Sequence, residues 1–197
     1  MESILAAPPV VDAPAALDPH LPMAALLKVY PGAQRALFRK YHVGGCSSCG
    51  FAPTETLAQI AARNPHMDLP DVLDFLRTSQ QEDRAMQITP RKLHDLCESA
   101  QGGPVHLLDI RTREEFDAVQ IPGSEHFTQE LMNTILMQWP REGGIIALID
   151  HQGARSLDAA AYFAGHGFTN VRALLGGIDA WSQEVDPALP RYTLEQD

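Results

Sequence analysis

The sequence predicts an α/β protein, a mostly parallel sheet with helices on both faces, preceded by a small all-α domain. Three observations predict it. Between residues 88 and 192 short apolar runs alternate with amphipathic helical stretches, the order that parallel strands joined by crossover helices require. Between residues 21 and 77 the period is helical, and its segments open on prolines or capping residues. A polar stretch without aromatic residues, 78–87, separates the two textures and reads as a linker.

The elements follow in order. Residues 1–20, "MESILAAPPVVDAPAALDPH", are rich in Pro and Ala with no aromatic residue and no sustained period, and are expected to be a disordered leader. "LPMAALLKVYPGAQRALFRKYHV" then forms two short helices broken at Pro31, and "TETLAQIAARN" and "PDVLDFLRTS" form two more. In "ITPRKLHDLCESA", Thr89 is the N-cap and Pro90 the first helical residue. Leu93, Leu96, Cys97 and Ala100 fall on one face there, which makes Cys97 an inert core thiol. "VHLLDI", "GIIALID" and "NVRALLG" are strands, with helices around "TREEFDAV", "TQELMNTILMQW", "SLDAAAYFAGH" and "IDAWSQEV".

Charge and composition narrow the function classes. The chain of 197 residues has a formal net charge of −10. Residues 86–197 hold most of the excess, with eight Lys/Arg against sixteen Asp/Glu, so nucleic acid and anionic membranes are not expected partners. No apolar run approaches the roughly 20 residues of a membrane span, and "MESILAAPPV" lacks the basic flank of a signal peptide. The expected location is cytoplasmic. Three cysteines, two of them close together, suit a reducing compartment, where such pairs bind metal or do redox work.

Two stretches carry chemistry. The first is "LIDHQGARS" at 148–156, where a strand feeds a helix through a glycine-containing turn shaped to cradle an anion. Such turns usually present a nucleophile first, and that residue is Asp150. Phosphoryl transfer by an aspartate needs a metal and further carboxylates at the same strand end, and none follow. His151 and Ser156 are expected to face solvent, because neighbours on a tight loop point apart. The second stretch is "YHVGGCSSCGFAPTETL", whose flanking glycines let Cys46 and Cys49 point the same way, as a chelate or a dithiol requires.

"LLDIRTREEFDAVQIPGSEHF" and "GFTNVRALLGGIDAW" resemble the two signatures of rhodanese domains, over roughly residues 86–192. The resemblance implies a five-stranded sheet with its functional loop after the "GIIALI" strand. In active rhodaneses that loop runs Cys-x-x-Gly-x-Arg, and the matching residues are Asp150, His151, Gln152, Gly153, Ala154 and Arg155. Asp150 thus stands where the resemblance places the sulfur-carrying cysteine. A carboxylate cannot carry a sulfane sulfur, and its charge opposes thiosulfate. Arg155, and Asp109 with Arg111 at a strand end, read as scaffold supporting the loop.

Residues 18–77, around Cys46 and Cys49, resemble the short helical CxxC domain found beside hybrid-cluster proteins, and more distantly the N-terminal segment of iron-centre repair proteins. Two thiolates are half of the four ligands that zinc or an iron–sulfur cluster takes. A homodimer, or His42 and His66, would complete the set. Iron or an iron–sulfur cluster is the first expectation, a thiol redox pair or persulfide relay the second, and structural zinc the third. Filling a small core is the plainest alternative for the pair. The functional expectation is an accessory protein, working with a protein partner in sulfur or iron–sulfur metabolism, in which the small domain handles iron or sulfur. The alternative is a sulfurtransferase using Cys46 or Cys49 in place of the loop cysteine.

Overall fold

The structure is a computed structural model that describes residues 17–44, 50–99 and 103–193. Cys46 and Cys49, Ala100, and residues 1–16 of the expected leader lie outside the described residues. The contacts divide the chain into two compact units, Met1–Arg77 and Thr78–Asp197.

The first unit is helical: α1 (Met23–Val29), α2 (Ala33–Tyr41), α3 (Leu57–Arg63) and the start of α4 (Leu69–Met86). Met23, Leu26, Leu37, Leu57, Ile60, Val72 and Leu76 are fully or almost fully buried and hold the helices together by one apolar stripe from each. Full burial of one such side chain contributes about 1.5–3 kcal/mol. Thr56 starts α3 through a capping box with Gln59. Leu17 also lies in this core, and the Pro19 carbonyl accepts from the Ala58 amide, so residues 17–20 belong to the fold rather than to a disordered leader. The apolar Leu17 ahead of the Pro22–Thr56 bridge is the physical reason.

The polar stretch expected as a linker is helical. α4 runs on through residue 86, because Gln, Glu, Arg, Ala and Met favour helix even where no apolar stripe marks it. The boundary between the two units falls inside this helix.

The second unit is built on a five-stranded, all-parallel sheet: β1 (Gln87–Ile88), β2 (Val105–Asp109), β3 (Ser124–His126), β4 (Ile145–Ile149) and β5 (Val171–Leu174), in the order β1-β5-β4-β2-β3. α5 (Pro90–Glu98), α6 (Arg113–Ala118), α7 (Gln129–Gln138), α8 (Ala154–Gly165) and α9 (Gly177–Glu184) alternate with the strands. Alternation along β4 divides the core. Ala147 and Ile149 pack with Leu93, Ile178 and Trp181 on one face, and Ile146 and Leu148 with Ile135, Leu157 and Phe163 on the other. Edge strands β1 and β3 have two and three residues and no apolar run. Pairing along the sheet edge makes them strands, and no period-2 pattern could reveal them.

The turn from β5 into α9 is pressed against the loop after β4. Gly176 and Gly177 have φ of 72° and 60°. The Ile178 amide donates to the Asp150 carbonyl at 2.9 Å and that of Asp179 to the His151 carbonyl at 3.2 Å. A Cβ on Gly177 would drive into both of those carbonyl groups. Gly177→Ala is therefore expected to cost about 3 kcal/mol in denaturant unfolding, combining a left-handed alanine with a backbone collision. Gly165→Ala, where an added Cβ meets nothing within 4 Å at the end of α8, is expected to be neutral or stabilising by up to about 1 kcal/mol.

Candidate functional site

Parallel strands bring their carboxyl ends to one edge of the sheet, and the loop 150–153 lies there between β4 and α8. Gly153 occupies the N-cap of α8 with φ 91°, packed so closely on Leu174 and Gly176 that a side chain would not fit. The loop amides therefore converge on the strand end. Their acceptor is the loop's own first side chain. Asp150, 3% exposed, accepts from the Gly153 amide at 2.6 Å, the Arg155 amide at 2.9 Å and the Ser156 hydroxyl at 2.9 Å. A buried carboxylate at a helix N-terminus with three donors is well compensated.

Ser156 is fully buried, and His151 is half-buried against Tyr192, so neither faces solvent as the spacing suggested. Ser156 sits one turn into α8, where the helix wraps its hydroxyl back towards Asp150. Gln152, Ala154 and Arg155 are exposed.

Beside the loop, at the end of β2, Arg111 and Asp109 form a buried pair, 2% and 0% exposed. Arg111 Nε donates to Asp109 Oδ1 at 2.9 Å and Nη2 to Oδ2 at 2.6 Å, while Nη2 also donates to the Val119 carbonyl at 2.6 Å. Nη1 donates to the Tyr192 hydroxyl at 2.8 Å. Burial works against the guanidinium charge, but the hydrogen bonds from Asp109 and Tyr192 prevail and raise its pKa. The Tyr192 hydroxyl donates in turn to Glu115 at 2.8 Å. Burial is the first cause that pushes this phenol up to about 12, so it stays a donor across the neutral range. Burial also opposes ionisation of Glu115, yet the Thr112 amide and the Tyr192 hydroxyl hold its pKa below the usual value.

Tyr192 and Glu115 escaped the sequence reading. Their spacing of 77 residues carries no periodic signal, although Glu115 does lie in the motif that quotes "TREEF".

Cys97 is exposed rather than a core thiol. α5 buries Pro90 and Leu93, and its last turn leaves Cys97 on the wall of a cavity of about 310 Å³ with His94, Trp181 and Asp186. Burial, then the neighbouring Glu98, push this thiol's pKa up, away from nucleophilic use. In the first unit, His42 ends α2 in the left-handed region with its ring edge-on to Phe38. His66 Nε2 lies 3.3 Å from the Tyr41 carbonyl, to which it can donate. The structure thus brings His66 to the backbone beside His42. Gly44 and Gly50, on either side of the cysteine pair, have their carbonyls held by Gln34 and Arg63. Among the described residues no three His, Cys, Asp or Glu side chains cluster as a metal site. Nor is any described helix long and apolar enough to cross a membrane.

The region that carries this site is similar to known proteins. The family model of the rhodanese-like domain matches residues 89–184, and that region is a rhodanese-like domain. Over 107 residues the chain is 34% identical to the probable adenylyltransferase/sulfurtransferase MoeZ of Mycobacterium tuberculosis, covering 53% of this chain and 26% of that protein. Over 186 residues it is 27% identical to the adenylyltransferase and sulfurtransferase UBA4 of Candida albicans, covering 89% of this chain and 41% of that one. The chain spans about a quarter to two-fifths of the length of these curated relatives. Among solved structures, a rhodanese-like domain protein from Staphylococcus aureus is 26% identical, with 54% of this chain and 98% of that chain covered and a TM-score of 0.42. The human single-domain sulfurtransferase TSTD1 is 21% identical, with 50% and 96% covered and a TM-score of 0.44.

The three donors aimed at Asp150 define its energetic role. Asp150→Ala, which leaves them without an acceptor, is expected to cost about 2–4 kcal/mol in chemical denaturation. Asp150→Asn is expected to fall between, since its amide keeps one acceptor oxygen and turns an N–H toward a backbone donor.

Proposed function

We propose that this protein is an accessory factor of sulfur or iron–sulfur metabolism whose rhodanese-like domain binds rather than reacts, and whose CxxC unit handles iron or sulfur. One observation carries the first half: the Asp150 carboxylate sits in its own loop, taking the Gly153, Arg155 and Ser156 donors that a bound anion would otherwise receive. A thiolate at that position would carry sulfur as a persulfide; a carboxylate has no such chemistry and repels an anionic sulfur donor. The similarity of residues in this region to proteins named as sulfurtransferases supports the metabolic setting.

The test is thiocyanate formation from thiosulfate and cyanide by the wild type, Asp150→Cys and Asp150→Ala. The wild type and Asp150→Ala are expected to be inactive. Asp150→Cys is expected to gain measurable turnover, because Gly153 and Arg155 keep the amides in place. Robust wild-type turnover, abolished by Cys46→Ser or Cys49→Ser, would instead assign a persulfide relay to the cysteine pair.

For the second half, Cys46 and Cys49 supply two thiolates, and the chemistry of soft ligands favours iron, an iron–sulfur cluster or zinc. His66 has Nδ1 to offer, and a second copy of the chain in a homodimer would offer another pair of thiols. When bound, iron or an iron–sulfur cluster would supply electron or sulfur transfer, and zinc a structural clamp. Iron and labile sulfide measured on anaerobically purified protein are expected in a dimeric fraction and to be lost in the Cys46→Ser/Cys49→Ser double variant. A metal-free monomer whose two thiols oxidise reversibly would assign redox work to the pair.

A further inference from the structure

The segment that follows α9 does not trail away. Leu189 is fastened by the Ser182 hydroxyl, which donates to its carbonyl at 2.7 Å. After Pro190, two side chains enter separate sites. Arg191 forks onto Asp179, Nε to Oδ1 at 2.7 Å and Nη2 to Oδ2 at 3.1 Å. Tyr192 lies on the His151 ring, centroids 4.5 Å apart and planes 20° from parallel, and its carbonyl receives His151 Nε2 at 3.0 Å. Its hydroxyl closes a relay, accepting from Arg111 Nη1 and donating to Glu115 Oε1, both at 2.8 Å. Every receiving group therefore belongs to the carboxyl-edge machinery: Arg111 lies two residues past the end of β2, Glu115 is in α6, His151 follows Asp150, and Asp179 donates its own amide to the loop.

The chemistry of the receiving groups is selective. A donor facing an acceptor across one oxygen fits a neutral hydroxyl, which can accept from Arg111 and donate to Glu115 at once. A carboxylate or phosphate could not donate and would face Glu115, and an ammonium could not accept. The flat imidazole selects an aromatic ring to carry that hydroxyl. Asp179, which receives the residue before Tyr192, selects a guanidinium by bidentate pairing. The fit is to arginine followed by tyrosine.

These contacts are of the exchangeable kind. The Arg191–Asp179 pair is on the surface, with the arginine side chain 55% exposed, and such pairs contribute little. Tyr192 is half-buried, and its hydrogen bonds reach residues 77 and 81 positions away.

We propose that residues 189–193 are a displaceable latch. Its Arg191–Tyr192 pair fills, within the same chain, a socket that recognises arginyl-tyrosine segments of a partner polypeptide, and its seating holds the Asp150 loop closed. The inference is independent of what Cys46 and Cys49 bind and of whether the loop is catalytic.

The test uses full-length chains and the blocked pentapeptide Leu-Pro-Arg-Tyr-Thr as probe. In Tyr192→Ala, amide hydrogen exchange at residues 151–155 is expected to speed up about ten-fold or more over wild type while β2 and β4 keep their protection. The pentapeptide is expected to bind Tyr192→Ala and return the loop to wild-type exchange, to bind wild type far more weakly, and to lose about ten-fold in affinity when its Tyr is replaced by Phe. Should Tyr192→Ala unfold globally, Tyr192→Phe decides, with loop exchange several-fold faster at unchanged core protection as the expected result. Loop exchange unaltered in the folded variants would overturn the latch. Failure of the peptide to bind folded Tyr192→Ala, or equal binding to wild type, would overturn the socket. Neither result depends on thiocyanate formation or on metal content.

Discussion

The rhodanese-like domain is organised around a carboxylate that answers a problem of backbone chemistry. A parallel sheet ends in loops whose amides point outward and gather at the start of the next helix, and buried donors without an acceptor are costly. Asp150 supplies the acceptor from within, with the Gly153 loop amide, the Arg155 amide of α8 and the Ser156 hydroxyl on its two oxygens. Gly153 can then take a left-handed conformation against the backbone of the neighbouring β5–α9 turn. The Gly176–Gly177 pair allows that turn to close in and hydrogen-bond the carbonyls of Asp150 and His151. Remove the acceptor, and the reason for the loop's shape goes with it.

A second buried charge system stands beside the first. Arg111 is neutralised by Asp109 at the end of β2 and tied to the Val119 carbonyl, so its position is set by the sheet. Replacing such a pair with apolar residues can be neutral, while breaking it from one side is costly. Its service here is geometric. It presents one remaining N–H, Nη1, to the hydroxyl of Tyr192, and through that residue the end of the domain is brought onto the loop. The two charge systems share His151 as their meeting point, since it follows Asp150 in the chain and stacks on Tyr192 in space.

The helical unit has a different economy. Its core comes from single stripes on short helices, none of which would be stable alone at seven to nine residues, apart from the longer α4. Tertiary packing of Met23, Leu37, Ile60 and Leu76 makes up the difference. Gly44 and Gly50, the described residues nearest Cys46 and Cys49 in the chain, have their carbonyls held by Gln34 and Arg63 of this unit.

Local rules determined a great deal from the chain alone. Apolar runs of five residues, capping threonines such as Thr56, Thr89 and Thr112, and the alternation of strand with helix are short-range properties, and they place the main strands, the helices and the loop with Asp150 at its head. The identity of residue 150 is itself a sequence fact, and so is its incompatibility with carrying sulfur. Tertiary structure alone decided the rest. It made strands of 87–88 and 124–126 by pairing at sheet edges. It turned Ser156 inward, left Cys97 exposed at the end of a short helix, and set Tyr192 against Arg111, Glu115 and His151. The physical reason is one of range. Periodicity reports which face of an element is buried, whereas hydrogen bonds between residues 41 to 81 positions apart depend on where the sheet sends its strand ends, and no local pattern encodes that.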